Sequence, residues 1–228
     1  MKILGIETAT AVCGAALVGD GVVLASRELR ERNVHAERLL RFVSEVLEEG
    51  RLAPGALDAV AVSVGPGSFT GLRIGLSTAK GLVYATGVPL VGVPTLEALA
   101  TRLARSGEVR EGWILAALEA RRDEVYVQIF RAEGERLERA GDVRDLAMSA
   151  LIDYVSGRSV VVTGEGAEKA AEALLAGGTP CALAPAALRQ CTAGDVALLG
   201  ERLARTGRHA DPVTLEPQYI KEFFLKVR

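Results

Sequence analysis

The sequence predicts an α/β protein built on two mixed sheets, and three observations predict it. Short runs rich in Val, Ile and Ala, bounded by Gly and Pro, read as buried strands. Apolar residues at helical spacing between those runs read as crossover helices. The order strand, strand, strand, helix, strand, helix then occurs twice, with a weaker end the second time. Hairpin strands followed by crossover helices place antiparallel and parallel pairs in the same sheet.

Each element has a local reason. Residues 3–8 and 12–18 read as strands, and Asp20-Gly21 marks a tight hairpin into a third strand at 22–29. Asn33 is suited to cap the helix that follows, where Leu39, Leu40, Val43, Val46 and Leu47 form one apolar face. Pro54-Gly55 breaks the chain before a central strand at 57–64. Gly65-Pro66-Gly67 turns it, and Ser68 caps a helix reaching about Ala85. Residues 89–93 read as a strand, and Thr95 as the cap of a helix ending near Gly107. The second half supplies a strand pair at 113–118 and 125–130 and a polar third segment at 136–142. A helix at 146–155, a strand at 159–163, helices at 167–175 and 193–204, and a tail from 211 complete it. This order suggests the duplicated actin-like (ASKHA) fold of the sugar-kinase group, in which each lobe resembles ribonuclease H and the second lobe here is reduced. The expected units are residues 1–107 and 108–228, with the tail packing back on the first; one doubly wound domain is the alternative.

Composition bounds the function. Half of the 228 residues (49%) are hydrophobic and 25% charged, as in an ordinary globular chain. The net charge of -2 lacks the basic excess of a stand-alone nucleic-acid binder. Three cysteines without C-x-x-C spacing support neither a disulfide framework nor a zinc site, and point to free thiols in a reducing cytoplasm. The apolar stretch from 82 to 100 is broken by Gly87, Pro89, Gly92 and Pro94, so no membrane span is expected. With only His35 and His209, no H-x-x-x-H zinc motif is possible. G-x-S-x-G is absent too, which leaves no nucleophile elbow.

The densest signal is GPGSFTGLRIG at 65–75. A Gly-rich turn opening a helix can cradle phosphate, but this one lacks the Lys-Ser/Thr of a P-loop. Gly71, Gly75 and Ala79 lie four apart and form a stripe without large side chains, fitted to close approach by the chain's own sheet or a second subunit. Glu7 with Thr8 and Thr10 follows the first strand, where actin-like ATPases use a carboxylate with magnesium and phosphate. Here these three read as a phosphate-loop remnant. GEG at 164–166 is a weak candidate for the adenosine side, and 119–126 reads as a solvated charged hairpin.

Together, MKILGIETAT at 1–10, HAERLL at 35–40, GPGSFTGLRIG, GVPTL at 92–96, ALEARRDEVY at 117–126 and EPQYIK at 216–221 closely resemble the bacterial TsaB (YeaZ) family. The match is dense over 1–130 and sparse over 131–215. The resemblance implies a role in forming threonylcarbamoyladenosine beside the anticodon of tRNAs reading ANN codons. It implies a noncatalytic scaffold that pairs with a TsaD-like catalytic subunit and a TsaE-like ATPase. A separate TsaC-type enzyme makes the adenylate. ATP and a metal are then used by the partner assembly, tRNA is met only through the complex, and this chain binds no cofactor alone. The catalytic relative carries H-x-x-x-H just after the strand matching 89–93; here Thr95 and Leu99 occupy those places, and neither is a useful metal ligand. The alternative is an autonomous ATP-using or metal-dependent enzyme of the same superfamily.

One surface is expected to carry pairing. The apolar arc of the 34–47 helix is wide for a small lobe. His35, Leu39, Leu40, Val43 and Val46, with Gly71, Gly75 and Ala79, are therefore expected to meet the partner, and a homodimer is expected in its absence.

Overall fold

The computed structural model describes residues 1–30, 35–120, 123–134 and 136–220; the side chains of His35 and Ala36 are outside that description. Two mixed sheets share one plan. In the first, β1 (Lys2–Glu7), β2 (Val12–Gly19) and β3 (Val22–Arg30) form an antiparallel meander. β4 (Ala59–Gly65) and β5 (Leu90–Pro94) then join in parallel, giving the order β3-β2-β1-β4-β5. The second sheet repeats it. β6 (Glu111–Glu119) and β7 (Glu124–Glu133) are antiparallel. β8 (Arg136–Arg139) and β9 (Arg144–Ala147) both pair with β7, at its opposite ends. β10 (Val160–Thr163) and β11 (Cys181–Leu183) add in parallel beyond β6. The duplicated α/β architecture follows from that repetition.

Helices cover the sheets. α1 (His35–Glu49) and α2 (Phe69–Thr86) lie on one face of the first sheet, over a core that includes Leu4, Ile6, Leu17 and Val62. β4 is buried at every position, as a central parallel strand between helical layers should be. α3 (Thr95–Arg105) and α6 (Ala193–Arg205) fill the space between the sheets, while α4 (Leu151–Val155) and α5 (Ala167–Ala176) cover the second sheet's far side. Ser68 caps α2 as expected, accepting from the Gly71 N–H at 3.2 Å, and Gly87 ends it in the left-handed region at φ 73°.

Several expectations are corrected. The helix expected at 146–155 divides into β9, a 3-10 turn at Met148–Ala150 and a single-turn α4, because Leu146 and its neighbours pair with β7. Thr95 does not cap α3: Pro94 holds the N-cap position, and no side chain caps it. β11 is an element that the apolar pattern does not announce; at three residues it has little room to show one. Packing crosses the boundary expected at 107/108: α6 comes from the second half but lies on the first sheet, where Gly5 accepts the close approach of Ala193 and Ala197. The described tail also returns to the first lobe: Ala210 bridges to Leu90, and the Gln218 N–H donates to the Val64 carbonyl at 2.7 Å.

Candidate functional site

Two regions carry the candidate residues: the end of β1, and the outer faces of α1 and α2.

At the end of β1, Glu7 and Thr8 are wholly buried and Thr10 nearly so. Glu7 Oε1 accepts from the Thr10 N–H at 3.0 Å and the Thr10 hydroxyl at 3.1 Å; Oε2 accepts from the Cys191 thiol at 3.4 Å. A Ser63 side-chain bond completes the set. Burial pushes the Glu7 carboxyl up to about 7, although the bonds from Ser63, Thr10 and Cys191 pull the other way. The same burial, with the Glu7 charge beside it, raises the Cys191 thiol well above the ordinary range. This carboxyl is enclosed by neutral donors, whereas a magnesium or phosphate partner needs access from solvent.

The glycine-rich run explains the enclosure. A Cβ on Gly67 would collide with the Ala9 carbonyl, one on Gly71 with the Thr8 carbonyl, and one on Gly75 with the Thr8 hydroxyl. The Ser68 N–H already donates to the Ala9 carbonyl at 2.7 Å. The turn therefore receives the chain's own residues 8–9 where a phosphate cradle would hold a ligand. Gly71, Gly75 and Ala79 are buried, with Gly71 and Gly75 set against Thr8, just past the end of β1. Thr95 and Leu99, in the first turns of α3, are wholly buried. Among the described residues, no group of three His, Cys, Asp or Glu side chains is arranged to hold a metal.

The outer helix faces differ from the expected set. Leu39, Val43, Val46 and Leu47 are buried within their own lobe, and so are Gly71, Gly75 and Ala79. The wide apolar arc of α1 is spent on the strands below and on α2. Leu40 is the member that points outward, 62% exposed. It edges an apolar groove of about 550 Å³ whose wall includes Leu52, Pro54 and Leu82 as well as the rims of Val43 and Leu47. Farther along α2, Tyr84 is 82% exposed. At the start of α2, the Arg73 guanidinium lies 4.0 Å from the Phe69 ring centroid and donates to the Tyr219 hydroxyl at 3.1 Å, so the tail is fastened there. Leu82 and Tyr84 were missed by sequence reasoning, which expected the tail to pack on the first unit but did not name the Arg73–Tyr219 contact. Tyr84 carried a readable signal, a large aromatic off the apolar stripe of its helix. The His35 side chain lies outside the described residues. No described helix is long and apolar enough to cross a membrane.

The family model described as TsaD, tRNA N6-adenosine threonylcarbamoyltransferase, matches residues 24–206. The Escherichia coli (strain K12) tRNA threonylcarbamoyladenosine biosynthesis protein TsaB is 42% identical over 127 residues, covering 55% of this chain and 53% of that protein. The matched segment thus spans about half the length of such curated relatives. YeaZ from Pseudomonas aeruginosa superposes with a TM-score of 0.79 at 27% identity, covering 96% of this chain and 99% of that one. An inorganic polyphosphate/ATP-glucomannokinase from an Arthrobacter strain, at 14% identity and a TM-score of 0.51, covers 90% and 99% and shares the actin-like fold alone. The TsaD-model match over most of the chain and the full-length superposition on YeaZ establish that the chain belongs to the threonylcarbamoyladenosine-biosynthesis family, on its TsaB (YeaZ) branch.

Proposed function

We propose that this chain is a noncatalytic scaffold in the making of threonylcarbamoyladenosine on tRNA, pairing with a TsaD-like catalytic subunit and working with a TsaE-like ATPase in the cytoplasm. The observation that carries the reading is the closed end of β1. Glu7 is sealed among Thr10, Ser63 and Cys191, and Thr95 and Leu99 are buried where the catalytic relative holds histidines. A carboxyl without solvent access and two side chains without ligating power give no place for metal-assisted transfer. ATP and metal chemistry then belong to the partner assembly.

The docking surface is the outer side of α1 and α2, centred on Leu40 and Leu82 and extended by Tyr84. An exposed leucine beside an apolar groove and an exposed tyrosine supply the kind of anchors that interfaces use. Without the partner, a second copy uses an overlapping surface. With a net charge of -2, the chain alone attracts tRNA weakly.

The test is co-purification with the TsaD-like subunit, followed by tRNA modification assayed with and without this chain. Modification should require the chain, while the isolated chain shows no specific ATP turnover and no stoichiometric zinc or iron. Turnover by the isolated chain, or full modification without it, overturns the reading.

A further inference from the structure

The tail meets α2 at a defined place. Ala210 bridges to Leu90 at the start of β5, and the Gln218 N–H donates to the Val64 carbonyl near the end of β4, so the tail climbs the first sheet. Tyr219 then packs on Phe69, with ring centroids 5.1 Å apart, and its hydroxyl accepts from the Arg73 Nε–H at 3.1 Å. Beyond Ile220 the sequence runs KEFFLKVR, an apolar triplet at 223–225 between charged residues. On α2 itself, Lys80 and Tyr84 follow Arg73. At about 100° and 1.5 Å per residue, both fall within about 20° of Arg73 around the helix, roughly 10 and 16 Å farther along it. Leu82, which lines the groove beside α1, lies about half a turn away, so that groove belongs to the other flank. Tyr84 is 82% exposed, and the Lys80 ammonium has no partner among the described residues. Ser77 and Gly81 beside them are small and exposed, and a Cβ on Gly81 would meet nothing within 4 Å. This flank is an open shelf that starts at the tail's own anchor.

A single exposed aromatic is ordinary on a protein surface. What is not ordinary is its alignment with the anchor and with the sequence that follows. An extended chain advances about 3.3 Å per residue. Counted from Tyr219, Glu222 comes level with Lys80 at about 10 Å, and residues 223–225 bracket Tyr84 at about 13–20 Å. A carboxylate then lies beside the unpaired ammonium, and the apolar triplet beside the exposed ring. Charge and polarity match in one alignment, with no residue inserted or skipped. We propose that residues 221–228 lie back along this flank of α2 in the same chain, pairing Glu222 with Lys80 and covering Tyr84 with Phe223, Phe224 and Leu225. The position of the segment is independent of the tRNA-modification reading. It makes Tyr84, which that reading includes in the docking surface, a residue that the chain shields in cis.

The test is paramagnetic broadening in the full chain. A nitroxide is attached at Lys226→Cys in a Cys181→Ser background, since Cys13 and Cys191 are buried and leave the label one site. Amide signals of residues 80–86 should be broadened, and those of α5 should stay sharp. Lys80→Glu with Tyr84→Ala should relieve the broadening several-fold. Lys80→Glu alone should relieve it in part, as loss of one exposed ion pair does, and adding Glu222→Lys to that variant should bring it back. Phe223→Ser with Phe224→Ser alters no residue of the packed core and should give the same release as the double variant on α2. A mixture of spin-labelled unenriched chain with unlabelled isotope-enriched chain should show no broadening. Broadening in that mixture assigns the shelf to the tail of a second copy and overturns the proposal. So does broadening that is absent in the parent, or equal in the parent and in both double variants.

Discussion

Glu7 is a carboxyl whose bonded neighbours Thr10, Ser63 and Cys191 are all neutral, and that sets its titration. Unfolded, it titrates near 4.5; folded, burial holds the proton until about 7. Between those values the native state binds more protons than the unfolded state, so stability falls as pH rises, and the loss is complete above the folded value. At about 1.4 kcal/mol per unit, the contribution is roughly 3 kcal/mol. Glu7→Gln cannot ionise, so it should flatten the decline in unfolding free energy between pH 5 and pH 8 by that amount in urea titrations. Parallel pH profiles for parent and variant would refute the assignment. The glycines beside it are tested by contrast. Gly71→Ala drives a methyl into the Thr8 carbonyl and should cost about 1–3 kcal/mol or more. Gly81→Ala, on the same helix with open space around it, should stabilise by up to about 1 kcal/mol. Thermal melts of the two variants should move in opposite directions.

At the scale of the element, α1 and α2 show what an apolar pattern can and does not tell. Helical spacing found the buried face of α1, since Leu39, Val43, Val46 and Leu47 all lie in the core. It did not say how many layers that face would touch. Strands below and α2 beside it absorb an arc that looked too wide for one lobe, which leaves Leu40 outside. The small-residue stripe was legible as a site of close approach, but the residue against its two glycines, Thr8, comes from a distant segment that no local pattern announces. A charged test residue must therefore sit at 40, since Val43→Glu and Gly75→Arg strike the core. Leu40→Glu should remain folded, abolish self-association in sedimentation, and weaken pairing with the TsaD-like partner by roughly tenfold or more, as loss of an interface anchor does. Normal pairing by a folded Leu40→Glu variant would place the interface elsewhere. In the second half, β9 took residues expected to be helical because β7 offered an open edge. Tertiary pairing of that kind overrides local propensity.

For the whole molecule, chain order and packing order part company. The boundary expected near residue 107 falls in the turn between α3 and β6, where Gly107 takes a positive φ of 80°. Packing runs across it, because α6 returns to cover the first sheet while α3 reaches the second. Both helices share one core with Phe130 and Ile114 of the second sheet and Val91 and Val93 of the first. Glu97 on α3 fastens the same arrangement, pairing with Arg139 of β8 and with Arg202 of α6. The apolar contribution is the larger one. Val196, Leu199 and Leu203 on α6 are all buried, and each is worth about 1.5–3 kcal/mol of apolar burial. Their sum is comparable to the 5–15 kcal/mol of net stability of a whole domain. A fragment of residues 1–107 therefore lacks the helix that closes its own sheet. It should not give a cooperative unfolding transition, whereas the same fragment with residues 190–220 joined to it by a flexible linker should. The intact chain should unfold in a single transition reported alike by far-ultraviolet dichroism and by the fluorescence of Trp113 in the second sheet. Two separated transitions, or a cooperative 1–107 fragment, would show that the lobes are independent and that α6 is dispensable to the first.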